Sequence, residues 1–132
     1  MFSVHPMIKN MNNLLTHRII GCAIEVHKEL GPGLLESVYQ HCLAKEFKIQ
    51  GIIFEAEKEL PVMYKGTQLD CGYRMDFLID KQIILELKSV NEILPIHEAQ
   101  ILTYMKLAKI RTGLLINFNV KLLKEGIKRF VL

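Results

Sequence analysis

The sequence predicts an α/β domain: a mixed sheet flanked by helices, with elements in the order ααβββαββ. Three observations predict it. Apolar residues recur at helical spacing through the first third of the chain. From Ile52 to Val90 the composition shifts to β-branched and aromatic residues broken by turn signals. The run Gly113 to Phe118 (GLLINF) is continuously apolar, as in a strand covered on both faces. A sheet with helices on each side is the economical way to bury such a set.

Leu15, Ile19, Cys22, Ala23, Val26 and Leu30 place a first helix over about Asn12 to Glu29. Gly31-Pro32-Gly33 ends it, because proline cannot continue the hydrogen-bond ladder and glycine suits the C-terminal stop. Leu35, Val38, Tyr39, Cys42, Leu43 and Phe47 mark a second helix over about Leu34 to Gln50. Turn signals at Pro61, Lys65-Gly66 and Asp80-Lys81 divide the next stretch into three or four antiparallel strands, near 52–58, 60–65, 69–79 and 83–89. A third helix is expected over about Pro95 to Lys109, with proline acceptable in its first turn. A buried strand follows at 113–118, and a short last strand at 127–132.

The 132 residues suggest one domain, read as residues 12–132 behind an N-terminal extension of residues 1–11. A chain of this length buries about two thirds of its unfolded surface, enough for a core without disulfides or structural zinc. Half the residues are apolar and 23% are charged, which excludes a disordered chain. Cys22, Cys42 and Cys71 are odd in number and lack CxxC spacing, so buried free thiols in a reducing compartment are expected. No stretch resembles a signal peptide or a membrane span, and the expectation is a cytoplasmic protein with no membrane partner. A net charge of +3 is too small to identify a polyanion partner, so any phosphate chemistry must come from a local feature.

That feature lies between Tyr73 and Lys88. If Asp80 to Gln82 form a three-residue loop, Ile79 opposes Ile83 and Asp76 falls directly opposite Glu86. Their Cβ atoms would then be about 4.5–5.5 Å apart on one face. Strand alternation adds Lys88 and Arg74 to that face. A two-residue loop would turn Asp76 to the other side. Two close carboxylates repel unless a cation lies between them. Mg²⁺ accepts one or two carboxylates and keeps waters and room for phosphate. It acidifies bound water and stabilises developing charge, and a nearby lysine can position that water. The competing interpretation is an ordinary ion-paired cluster. Glu36, in Gly33-x-x-Glu36-x-x-Tyr39, opens the second helix, where a carboxylate also suits the helix dipole. Gln100 and Tyr104 share a face of the third helix with His97.

The ordered set Gly33-x-x-Glu36-x-x-Tyr39, Asp76, Glu86-x-Lys88, Gln100 and Tyr104 resembles the GxxExxY family of the PD-(D/E)xK nuclease superfamily. The wording from Val26 to Glu36, His27 included, is similar too, and the likeness runs from about Asn12 to the end of the chain. The resemblance implies a restriction-endonuclease-like core and metal-dependent cleavage of nucleic acid, with DNA the expected substrate and Mg²⁺ (or Mn²⁺) the cofactor. It implies that Asp76 and Glu86 bind the metal and that Lys88 orients or activates the attacking water. Glu36 would add a carboxylate directly or through water, and Gln100 would support the site. Tyr39 and Tyr104 become candidates either to support the site residues from behind or to contact phosphate, and Arg74 becomes a candidate phosphate contact. Met75 stands where the superfamily's proline is usual; proline there is a shape feature, not a ligand.

Other features carry less. Glu55, Glu57 and Glu59 alternate as a solvated strand face would. Lys121, Lys124, Lys128 and Arg129 suit either a lysine-guarded edge or a nucleic-acid backbone. A non-catalytic nucleic-acid-binding or protein-interaction module is the alternative function. A chain this small leaves little surface for sequence recognition, which a partner subunit or homodimer would supply.

Overall fold

The computed structural model describes residues 6–70 and 72–132, with side chains from residue 12 onward. Cys71, expected as a buried free thiol, lies outside the described residues. Helix α1 (Pro6–Leu30) starts six residues before the expected point, so the described part of the N-terminal extension continues the first helix. Helix α2 (Glu36–Gln50) follows, then β1 (Phe54–Glu59), β2 (Val62–Tyr64), β3 (Thr67–Leu69), β4 (Arg74–Ile79) and β5 (Ile83–Lys88). Helix α3 (Pro95–Ala108), β6 (Thr112–Asn117), a 3-10 turn (Leu123–Gly126) and β7 (Ile127–Val131) complete the order.

Five strands therefore precede α3, not three or four. The cause is local: Lys65 and Gly66 are both left-handed (φ 48° and 79°), which closes a two-residue hairpin with Tyr64 opposite Thr67. Gly72, at φ 73°, then separates β3 from β4. The expected single strand over 69–79 becomes two, and β2–β3 forms a small sheet of its own.

The main sheet is mixed, in the order β1-β4-β5-β6-β7, with only β5 and β6 parallel and joined by α3. This is the α/β restriction-endonuclease-like arrangement. On one face α1 and α2 contribute Ile19, Ala23, Tyr39, Leu43 and Phe47 to a core with Phe77, Leu85, Leu114 and Ile116. On the other, α3 contributes Ile101, Tyr104 and Met105 to a core with Leu78, Ile84 and Leu115. All six residues of β6 are buried, as its unbroken apolar run requires of a strand covered on both sides. Cys22 and Cys42 are free thiols; Cys22 is buried and Cys42 half-buried. Among the described residues, no helix is long and apolar enough to cross a membrane.

Candidate active site

The β4–β5 hairpin has the register on which the site depends. Asp80 and Lys81 are both left-handed (φ 48° and 56°), and Gln82 N–H donates to Ile79 O at 2.9 Å. Gln82 is the extra residue that makes the loop three long. Ile79 pairs with Ile83, Leu78 with Ile84 and Phe77 with Leu85. Asp76 and Glu86 are the next positions in that register.

There the backbone ladder stops. The N–H of Leu87 donates to Asp76 Oδ2 at 2.8 Å, so a side chain takes the place of a strand partner. On the other side of β4, Glu57 adopts φ 52° and the β1–β4 pairing skips the Glu57–Asp76 position. The strands are thus distorted on both sides of Asp76, which frees its carboxyl to turn toward β5.

Along β5, Leu85 and Leu87 belong to the core beneath α2, while Ile84 belongs to the core beneath α3. Alternation sends Glu86 and Lys88 to the α3 side with Ile84. Glu86 is 4% exposed, and its Oε1 is buried with no hydrogen-bond partner among the described residues. Its carboxyl is pushed up to about 10, first by burial and then by hydrogen bonding and like charge from Asp76; Lys88 pulls the other way. An isolated carboxylate pair in this setting holds a proton unless a cation replaces it. Lys88 is half-buried and its Nζ donates to Gln100 Oε1 at 3.4 Å. Gln100 Nε2 donates in turn to the Tyr104 hydroxyl at 2.9 Å. Tyr104 is itself raised, by burial first and then by the charge of Glu86, so its phenol stays protonated and keeps an O–H to donate.

The ion pairs among the described residues are Lys58–Glu55 and Lys128–Glu98, neither at this site. A closed ion-paired cluster is therefore not what the hairpin builds. The two adjacent carboxylates, one with an orphaned buried oxygen, fit a hard divalent cation better than they fit each other.

Glu36 is exposed at the first residue of α2. Gln40, one turn later on the same side, reaches Asp76 O through Nε2 at 3.5 Å. This helix face thus looks toward Asp76. However, no group of three or more His, Cys, Asp or Glu side chains among the described residues is placed to hold a metal. Glu36 does not complete a three-carboxylate centre with Asp76 and Glu86, because it stands at the exposed end of the helix, a turn above the contact made by Gln40.

Tyr39 is not placed to touch a substrate. It is fully buried and stacked on Phe118 with ring centroids 4.4 Å apart. Its hydroxyl donates to Gly31 O at 2.5 Å and accepts from Leu34 N–H at 3.2 Å. It clamps the turn that leads into Glu36, in which Gly33 adopts φ 93°. Ser89 Oγ donates to Leu34 O at 2.6 Å, fastening this turn to the end of β5. Arg74 is exposed, two residues before Asp76. His97 Nδ1 accepts from Leu94 N–H at 3.0 Å and caps α3. His27 Nε2 lies 2.8 Å from Val120 O, a structural contact.

Three contacts escaped the sequence reading. Gln40 and Ser89 had a usable signal, since one lies four residues after Glu36 and the other directly after Lys88. The Leu87 N–H had none, because backbone groups look alike in every sequence.

A family model described as the PD-(D/E)XK nuclease superfamily matches residues 13–130. No curated protein and no solved structure matches the chain. With the family match spanning nearly the whole chain, and Asp76, Glu86 and Lys88 at the splayed end of its central hairpin, this chain belongs to the PD-(D/E)XK nuclease superfamily.

Proposed function

We propose that this protein is a metal-dependent nuclease of the GxxExxY type that hydrolyses phosphodiester bonds in DNA, with Mg²⁺ or Mn²⁺ as cofactor. One observation carries the reading: the buried Glu86 carboxylate, with an oxygen lacking any partner, stands beside Asp76 and two residues from Lys88.

Asp76 and Glu86 would hold the metal. A bound divalent ion would supply an acidified water and stabilise charge on the phosphoryl oxygens. Asp76 is oriented for this by the Leu87 N–H, which donates to its Oδ2. Glu86 would hold such an ion as the ionised carboxylate, giving up the proton that burial favours. Lys88, steered by Gln100, places an ammonium where it can orient the attacking water or meet the phosphoryl charge. Tyr104, as a neutral phenol, can donate to a phosphate oxygen, and Arg74 can pair with a neighbouring phosphate. Glu36 acts through a water molecule, from the exposed end of α2.

The test is incubation of the purified protein with DNA and RNA in Mg²⁺ or Mn²⁺, beside Asp76→Ala and Lys88→Ala. Cleavage by the wild type that both variants lose supports the reading. Absence of cleavage together with absence of metal binding at Asp76 and Glu86 overturns it. Nucleic-acid binding that persists unchanged in both variants without any cleavage points to the non-catalytic module.

A further inference from the structure

The β2–β3 hairpin takes no part in the main sheet. Its six strand residues include none that is buried. Tyr64 is 59% exposed and Met63 60% exposed. A lone two-stranded ribbon is marginal in water, and this one presents its large side chains to solvent. Cross-strand pairing places Tyr64 with Thr67 and Val62 with Leu69 on one face. Lys65 lies over the Tyr64 ring, its Nζ 5.3 Å from the centroid.

The hairpin is also anchored beside the candidate catalytic hairpin. It connects Glu59 at the end of β1 to Arg74 at the start of β4, two residues before Asp76. At its base Leu60 N–H donates to Tyr73 O at 2.9 Å, and Leu60 is buried in the α3-side core. The Tyr73 ring packs edge-on against Tyr104 at 6.0 Å, and Tyr104 is joined through Gln100 to Lys88. A continuous set of contacts therefore links the ribbon's base to the residues around the candidate metal site.

We propose that this hairpin is a binding finger for single-stranded nucleic acid, with an unstacked base lying on Tyr64 and its phosphate meeting Lys65. The inference rests on the nuclease reading for the nature of its ligand. An aromatic ring with an adjacent cation is the pair that single strands use, base on ring and phosphate on ammonium. A duplex hides its base faces in the stack, so an exposed ring at a hairpin tip, with Lys65 over one face and the other left for a base, favours strands or ends whose bases are already open. The position next to Asp76 would deliver the held strand to the candidate site.

Binding of fluorescein-labelled single-stranded and duplex oligonucleotides to the full chain, followed by anisotropy in EDTA, tests this apart from catalysis. Tyr64→Ala is expected to weaken single-strand binding about 5- to 100-fold, while Tyr64→Phe, which keeps the ring, stays within about twofold of wild type. Lys65→Ala is expected to reduce the slope of log affinity against log salt by about one ion. Wild-type binding of single strands no tighter than duplex overturns the proposal. So does a Tyr64→Ala variant that binds like wild type, or equal losses in Ala and Phe variants. Cleavage in Mg²⁺ is scored separately. Cleavage that survives with hairpin variants unaffected in binding removes the finger and leaves the nuclease. Hairpin-dependent binding by a protein that never cuts removes the nuclease and leaves the finger.

Discussion

Asp76 and Leu87 are joined by a hydrogen bond from the Leu87 backbone N–H to Asp76 Oδ2, 2.8 Å long, at the point where the β4–β5 ladder ends. The same carboxylate would then have two duties: its Oδ2 closes the hairpin, and its charge would serve the proposed metal site. Asp76→Asn keeps an acceptor for Leu87 but removes the charge. It is expected to lower cleavage about 100-fold or more while shifting the melting temperature little. Asp76→Ala loses both duties and is expected to cost about 1–3 kcal/mol in addition, because a half-buried N–H is left without a partner. Cleavage rates and thermal melts of the two variants, compared side by side, check the separation.

Glu86 makes the metal-free protein sensitive to alkali. Its folded carboxyl is raised from an ordinary 4.5 to about 10, so between those values the folded state binds more protons than the unfolded one. Stability contributed by the protonated form is complete below about pH 4.5 and is lost as pH climbs toward about 10. Melting temperature in EDTA is expected to fall with rising pH across this window, and Glu86→Gln is expected to flatten the fall. A fall of equal slope in the variant would remove Glu86 as its source.

Metal binding is the other side of that proton. Mg²⁺ or Mn²⁺ needs the ionised carboxylate, so loading is expected to release up to about one proton and to tighten roughly tenfold per pH unit below the raised value. Calorimetry in buffers of different ionisation enthalpy counts the proton. Glu86→Gln is expected to abolish both the release and most of the affinity.

Gln100 bridges Lys88 and Tyr104, and its replacement should act through the lysine and not through substrate affinity. Gln100→Ala is expected to lower kcat about 10- to 100-fold with KM within about threefold, as for other residues that orient a catalytic group. Tyr104→Phe keeps the ring that packs on Tyr73 and is expected to show a smaller loss. Steady-state kinetics on one oligonucleotide substrate distinguish the two.

Tyr39 belongs to the fold. Tyr39→Phe leaves Gly31 O and Leu34 N–H short of a partner beneath the turn. The expected cost is about 1–2 kcal/mol, a fall of roughly 3–8 °C in melting temperature. Cleavage per folded molecule should change far less than in Gln100→Ala. Scanning calorimetry and active-site-normalised rates check this.

Much of the architecture was legible because it rests on short-range rules. Helical spacing located α1 and α2, proline at the first turn marked the start of α3, and the apolar run 113–118 located β6, since these patterns report local geometry and buried faces directly. The ribbon β2–β3 was blurred into its neighbours: two strands of three residues are too short for alternation to register, and only the left-handed pair Lys65-Gly66 separates them.

The candidate site divides in the same way. Sequence by itself determined its chemical inventory and narrowed the register to two loop lengths; the fold chose the three-residue loop Asp80 to Gln82, which puts Asp76 and Glu86 at matching positions. Only the tertiary structure decided how those groups are used. Burial under α3 turned Glu86 from a strand carboxylate into one with a raised pKa and an orphaned oxygen. Packing against Phe118 holds Tyr39 in the core, as its place in the apolar stripe of α2 requires, so the phosphate contact that the family resemblance implied for it is not made by this side chain. The helix end left Glu36 exposed, outside any group of three ligands among the described residues. Spacing along a chain specifies which side of an element a residue occupies. Solvation and partners depend on what the rest of the chain brings against that side, and those are what set charge, proton and function.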